Sequence, residues 1–226
     1  MQSIEVVQVG KGMFVNVDTT FLGGIERAKE LKLLESRRAD VLVSPYVFET
    51  STIFTPEHNG RMFAFMRHPI ERCASIYAYK KTIDPEIASM SLLDYARSGR
   101  VENNWMTRFL SNQLTGELTF DHVVIAKEVL RTKCLIGLKE FLWASIKRYE
   151  HFYDWSYTTD PATQYECRKK KLLEDIDLNE YEQPVVEEGT QEWTMLLWQN
   201  KFDMKLYKYA QELFQEQLKL FPDGYQ

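Results

Sequence analysis

Sixteen residues, Met62-Phe63-Ala64-Phe65-Met66-Arg67-His68-Pro69-Ile70-Glu71-Arg72-Cys73-Ala74-Ser75-Ile76-Tyr77, constrain this chain more than any others. An apolar run stops at Arg67, and Pro69 follows two residues later. Proline has no N–H and a fixed φ, so it ends a strand and fits the first position of a helix. Ile70, Cys73, Ala74 and Tyr77 then recur at helical spacing. The order strand, Arg, Pro, helix places Arg67 at the carboxyl end of a strand, in the crevice where open α/β sheets bind ligands. The free N–H groups and partial positive charge of a helix N-terminus suit an anion there. An Arg fork adds bidentate hydrogen bonds to phosphate. Ser75, about two turns into the same helix, contributes a hydroxyl. The residues alone leave two readings open: an anion site built on Arg67 and Ser75, or an Arg67 paired with a carboxylate and an incidental Ser75.

The flanking sequence predicts an α/β architecture. Ile4–Val9, Met13–Val17, Asp40–Val43, Met62–Met66 and Cys134–Leu138 are short apolar runs of the kind buried on both faces of a parallel sheet. Ile25, Ala28, Leu31 and Leu34 mark a helix after Gly23-Gly24, so strands and helices alternate over the first 80 or so residues. Beyond that the chain is mostly helical, with helices predicted over Leu92–Ser98, Asn103–Leu110, Val123–Arg131 and Phe141–Tyr153. An irregular stretch spans about 156 to 190. Phe202, Leu206, Tyr209, Ala210, Leu213 and Phe214 form the apolar stripe of a closing helix. The expectation is one domain over 1–226, with an α/β nucleotide-binding part at 1–82 and a mainly helical part at 83–226.

Composition narrows the function classes. A formal net charge of −5 argues against a basic nucleic-acid face. Cys73, Cys134 and Cys167 have no metal-ligand spacing, and three cysteines cannot all pair within the chain. No metal site is predicted. No run approaches the ~20 apolar residues of a membrane span, and no signal peptide is read at the start. Two expectations stand together: a soluble intracellular chain, or one lacking an N-terminal segment.

The Arg67 segment resembles the 3′-phosphate-binding segment of sulfotransferases that use 3′-phosphoadenosine 5′-phosphosulfate. That family reads apolar strand, then R-D-P-x-x-R-x-x-S-x-Y. Arg67, Pro69, Arg72, Ser75 and Tyr77 are in register, with His68 in the place of the Asp. Further stretches are similar to uronyl and heparan-type carbohydrate sulfotransferases. They are Phe14–Thr20, Ala126-x-x-x-Leu130 with Ile136-Gly137-Leu138-x-Glu140-x-x-x-x-Ser145, and Asn200-x-x-Asp203-x-x-Leu206-Tyr207-x-x-Ala210-x-x-x-Phe214. The resemblance implies a three-layer P-loop-like α/β fold with a parallel sheet. It implies sulfuryl transfer from the phosphosulfate donor to a carbohydrate hydroxyl, leaving adenosine 3′,5′-bisphosphate. Arg67 and Ser75 would bind the donor's 3′-phosphate, and Trp105 and Arg108 would line the acceptor cleft. The Golgi lumen is the implied location, with no nucleic-acid or membrane partner for this chain.

The family's other nucleotide element, a Lys-bearing K-x-G-G-[ST] turn for the 5′-phosphosulfate, has no counterpart here, and neither does a Walker A motif. Gly10-Lys11-Gly12 precedes a strand and reads as a turn, while Asp18–Gly24 joins strand to helix and offers amides without a Lys. The chain therefore reads as a family member lacking its first strand and loop, either an active enzyme or a non-catalytic or truncated nucleotide- or glycan-binding relative. Glu49 is the candidate base for the acceptor hydroxyl, against a solvated helix charge. His68 reads as a helix cap. Trp105 and Arg108 also fit core packing and a surface ion pair, and Arg168-Lys169-Lys170-Lys171 reads as a solvated basic face.

Overall fold

The computed structural model describes residues 3–9, 12–155 and 183–222. The predicted irregular stretch from about 156, Cys167 and the basic run 168–171 lie, in whole or for the most part, outside these. Among the described residues there are four strands: β1 (Val6–Val9), β2 (Gly12–Val15), β3 (Met62–Met66) and β4 (Cys134–Leu138). The helices that frame them are α1 (Leu22–Glu30), α2 (Val47–Ser51), α3 (Pro69–Ile83), α4 (Pro85–Ala88), α5 (Leu92–Arg97), α6 (Trp105–Ser111), α7 (Phe120–Lys133), α8 (Leu142–Phe152), α9 (Gln191–Gln199) and α10 (Lys201–Glu216). The chain is thus a mixed helix and strand protein with a small parallel sheet.

That sheet is the pair β3 and β4, aligned from Met62↔Cys134 to Met66↔Leu138. Met66, Ile136 and Leu138 pack into the main core with Met106 and Leu110 of α6, Ala126 and Leu130 of α7, and Leu206, Ala210 and Phe214 of α10. The opposite face meets α8, where Tyr149 donates its hydroxyl to the Ala64 carbonyl at 3.0 Å. Gly137 is needed at that contact: a Cβ there would sit 2.1 Å from the Tyr149 hydroxyl. The free edge of β4 is closed by side chains. Gln217 accepts from Ile136 N–H and donates to the Cys134 carbonyl, and Ser145 accepts from Leu138 N–H. Side chains thus supply ladder partners where, among the described residues, no further strand pairs with β4.

Three expectations for the first 60 residues are corrected. The runs starting at Ile4 and Met13 form an antiparallel hairpin, Val6↔Val15 through Val9↔Gly12, instead of buried parallel strands. Val9, Met13 and Phe14 are well exposed. Asp40–Val43 joins no ladder among the described residues, and Val43 is 68% exposed. Ile4, Ile25, Ala28, Leu33 and Ile53 make a separate small core under the hairpin and α1. Apolar runs of four to six residues look alike whether one face is covered or two, so their composition does not distinguish these arrangements.

The last helix differs in phase from its predicted stripe. Leu206, Ala210, Leu213 and Phe214 are buried as expected, but Asp203 and Tyr207 are buried too, whereas Phe202 and Tyr209 are only half-buried. The face is turned by hydrogen bonding. The Asp203 carboxylate accepts from Met106 N–H at 3.0 Å, Thr107 N–H at 2.7 Å and the Thr107 hydroxyl at 2.7 Å, capping the start of α6. In return the Asn104 side-chain oxygen accepts from Phe202 N–H and Asp203 N–H, capping the start of α10. Each helix supplies the acceptor for the other's orphan donors. Asn104 takes φ 47°, a left-handed conformation that Asn tolerates better than most residues.

Candidate functional site

Because β3 and β4 run parallel and in register, both deliver their next residues to the same end of the sheet. Arg67-His68 follows β3, and Lys139-Glu140 follows β4. Pro69 opens α3 at its first position, and the first amide of the new helix to find a backbone partner is Arg72 N–H, on the His68 carbonyl at 2.9 Å. The Ile70 and Glu71 amides make no hydrogen bond among the described residues, so they remain as donors at the positive end of the helix dipole.

Arg67 projects at this end with its side chain 20% exposed. Its Nη2 donates to Gln183 Oε1 at 2.8 Å, and its Nε donates to Glu71 Oε2 at 3.3 Å. The carboxylate partner of the second reading is therefore present, and it stands beside a helix N-terminus. The Glu71 side chain is 60% exposed, so the pair contributes at most about 1 kcal/mol. Ser75 lies on α3 four residues beyond Glu71, which puts both on one helical face. It is half-buried, and its hydroxyl has no partner among the described residues.

His68 does not cap α3, since no side-chain hydrogen bond is made at that cap. Its ring instead turns toward α9 and α10, stacking on Trp193 at 5.7 Å and meeting Tyr207 edge-on at 5.5 Å. Burial holds its pKa below the usual imidazole value, against the pull of the Glu71 and Glu140 carboxylates. Glu140 accepts from Gln211 Nε2 at 2.8 Å. Burial, and then the Glu140 charge, push the Tyr207 phenol well above its ordinary range.

Among the described residues, none of the remaining predicted residues is hydrogen-bonded to Arg67, His68 or Ser75. Glu49 is on α2, half-buried, with no hydrogen bond or ion pair from its carboxylate to Arg67, Ser75, Trp105 or Arg108. Trp105 opens α6, and its ring is covered by the Arg72 guanidinium at 4.2 Å, which Glu102 pins at 2.6 Å. Arg108 spends its donors on the Asn103 carbonyl and side chain and on the Gln113 and Gly116 carbonyls. That pattern clamps the turn after α6 and leaves no guanidinium N–H for a ligand.

Other places fit an anion poorly. In Asp18–Gly24 the Asp18 carboxylate accepts from Thr20 N–H and hydroxyl, and those bonds lower its pKa, so the loop carries a negative charge. Gly24 N–H is spent on the Phe21 carbonyl. A recess of about 260 Å³ is lined by Leu92, Val185, Val186, Glu187, Thr190 and Glu192, with two carboxylates and no cation. Burial pushes the Cys73 thiol up to about 11 and Cys134 up to about 12, which removes both from thiolate chemistry.

No protein-family model, curated protein or solved structure matches the chain. The site therefore rests on its own chemistry. Among the described residues no group of three His, Cys, Asp or Glu could hold a metal ion, and no helix is long and apolar enough to cross a membrane.

Proposed function

We propose that this chain is a sulfotransferase-like protein whose Arg67 and Ser75 hold the 3′-phosphate of 3′-phosphoadenosine 5′-phosphosulfate or of its product, adenosine 3′,5′-bisphosphate. The observation that carries the proposal is the placement of Arg67. It stands at the carboxyl end of a parallel strand pair, beside α3 amides that are free among the described residues, and its partners among those residues are one weak exposed carboxylate and one neutral amide. A phosphate dianion bound by an Arg fork gains about 1.5–3 kcal/mol per charge-assisted bond, more than the exposed Glu71 pair provides. The ligand displaces Glu71 and reaches Ser75 one turn further on.

Sulfuryl transfer to a carbohydrate hydroxyl is the reaction that goes with this reading. The acceptor oxygen forms a bond to sulfur, the bond from sulfur to the bridging oxygen breaks, and the bisphosphate leaves with the electron pair. The acceptor proton goes to a base, for which Glu49 is the proposed residue. A non-catalytic nucleotide binder is the second reading. It is favoured by the Asp18–Gly24 loop, whose carboxylate and spent amides make a poor cradle for the 5′-phosphosulfate.

Calorimetric titration tests the nucleotide assignment. Adenosine 3′,5′-bisphosphate is expected to bind at least tenfold more tightly than adenosine 5′-phosphate, since Arg67 has nothing to hold in the second ligand. Glu71→Gln removes the competing carboxylate and is expected to tighten the bisphosphate by about 1 kcal/mol, roughly fivefold. Equal affinity for the two nucleotides would remove the proposal.

A further inference from the structure

His68 follows Arg67 directly in the sequence and is the residue from which α3 starts. The imidazole is half-buried between Trp193 and Tyr207, and neither ring nitrogen has a hydrogen-bond partner among the described residues. An imidazole with unspent nitrogens, next in sequence to the anion-binding Arg, is free to respond to a charge bound beside it. Glu71 links the two residues: its carboxylate pairs with Arg67 at 3.3 Å and also acts on His68.

We propose that His68 makes the Arg67 anion site proton-coupled, so that a bound phosphate dianion is accompanied by protonation of the His68 imidazole. This inference rests on the phosphate-binding reading of Arg67.

In the free protein, burial disfavours the imidazolium and keeps the ring neutral around neutral pH. The groups facing it are Glu71 on α3, Glu140 after β4 and Tyr207 on α10; α9 contributes the uncharged Trp193. A dianion that takes the place of Glu71 on Arg67 carries more negative charge than the carboxylate that already pulls the imidazole pKa upward, and so raises it further. By linkage, a group whose pKa is higher in the complex takes up a proton on binding, and affinity rises as pH falls through that pKa. The ligand's own 3′-phosphate has a second pKa near ~6, and binding it as the dianion releases protons, the opposite sign.

The test is calorimetry of adenosine 3′,5′-bisphosphate with the full chain at pH 6.5 in two buffers of different ionisation enthalpy. The expected result is a net uptake of protons on binding. His68→Gln should abolish the uptake and leave only the proton release of the phosphate, while binding persists. The His68 ring resonances, followed by NMR in the unsubstituted protein, should show a higher pKa in the complex, which keeps the test independent of how the variant folds. Binding with no proton uptake and an unmoved His68 titration overturns the coupling alone. Absence of bisphosphate binding overturns the phosphate site itself, and the coupling with it.

Discussion

Asp203→Ala is expected to destabilise the protein by about 3–5 kcal/mol, because three buried donors lose their acceptor at once. Asp203 is 1% exposed and accepts three hydrogen bonds from α6. Truncation leaves two backbone N–H groups and the Thr107 hydroxyl without an acceptor in the core, each worth about 1–3 kcal/mol when unsatisfied. It also leaves Asn104 capping a helix that no longer caps α6 in return. Burial raises the Asp203 pKa, opposed by the Thr107 and Met106 donors and by Arg72. A carboxyl whose pKa is higher folded than unfolded favours the fold most below its unfolded value. That contribution fades as pH rises through the folded value. Asp203→Asn keeps one acceptor but turns an amide donor toward an N–H, so a smaller loss is expected. Urea unfolding checks both variants: the midpoint should drop with little change in slope. A midpoint for Asp203→Ala within error of the unsubstituted protein would show that the cap carries no stability.

Arg67→Ala is expected to weaken adenosine 3′,5′-bisphosphate by about 10- to 100-fold, matching the ~1.5–3 kcal/mol of a charge-assisted hydrogen bond. Ser75→Ala should cost about 1 kcal/mol, because a neutral hydroxyl donor is replaced by nothing at a half-wet position. Neither change should unfold the chain. Among the described residues Arg67 is partnered by an exposed carboxylate and a neutral amide, and no backbone donor of the core depends on it. Circular dichroism of the variants separates lost binding from lost structure. Unchanged affinity in folded Arg67→Ala would return this arginine to the role of a surface ion pair.

The stretch from β3 through α3 was legible because its signals are local. An apolar run, a proline two residues on and helical spacing together define strand, turn and helix, and they set Arg67 at the sheet's carboxyl end. The helices α5 to α8 were legible from periodicity, each within a few residues of its bounds. The hairpin β1–β2 was not, since whether an apolar run is covered on one face or two is decided by what packs on it. Asp203 and Tyr207 escaped for a related reason. A polar residue on an apolar helix face is buried only where it meets partners, and those partners lie on α6 and at Glu140, far away in the sequence. α9 is not foreseen from the sequence, although the Thr190 hydroxyl caps it by accepting from Trp193 N–H at 3.2 Å. The residues expected to line one cleft were grouped by resemblance. The structure groups them by contacts instead, with Arg72 on Trp105 and Arg108 closing its own turn.

The most direct test of the account is where the nucleotide lands. Adenosine 3′,5′-bisphosphate added to ¹⁵N-labelled protein is predicted to shift the Arg67 Nε–H and the Ile70 and Glu71 amides, saturating together. Those groups are the free end of α3 and the guanidinium before it. Saturable binding that leaves all three unmoved, with shifts centred on Asp18–Gly24 instead, would contradict it.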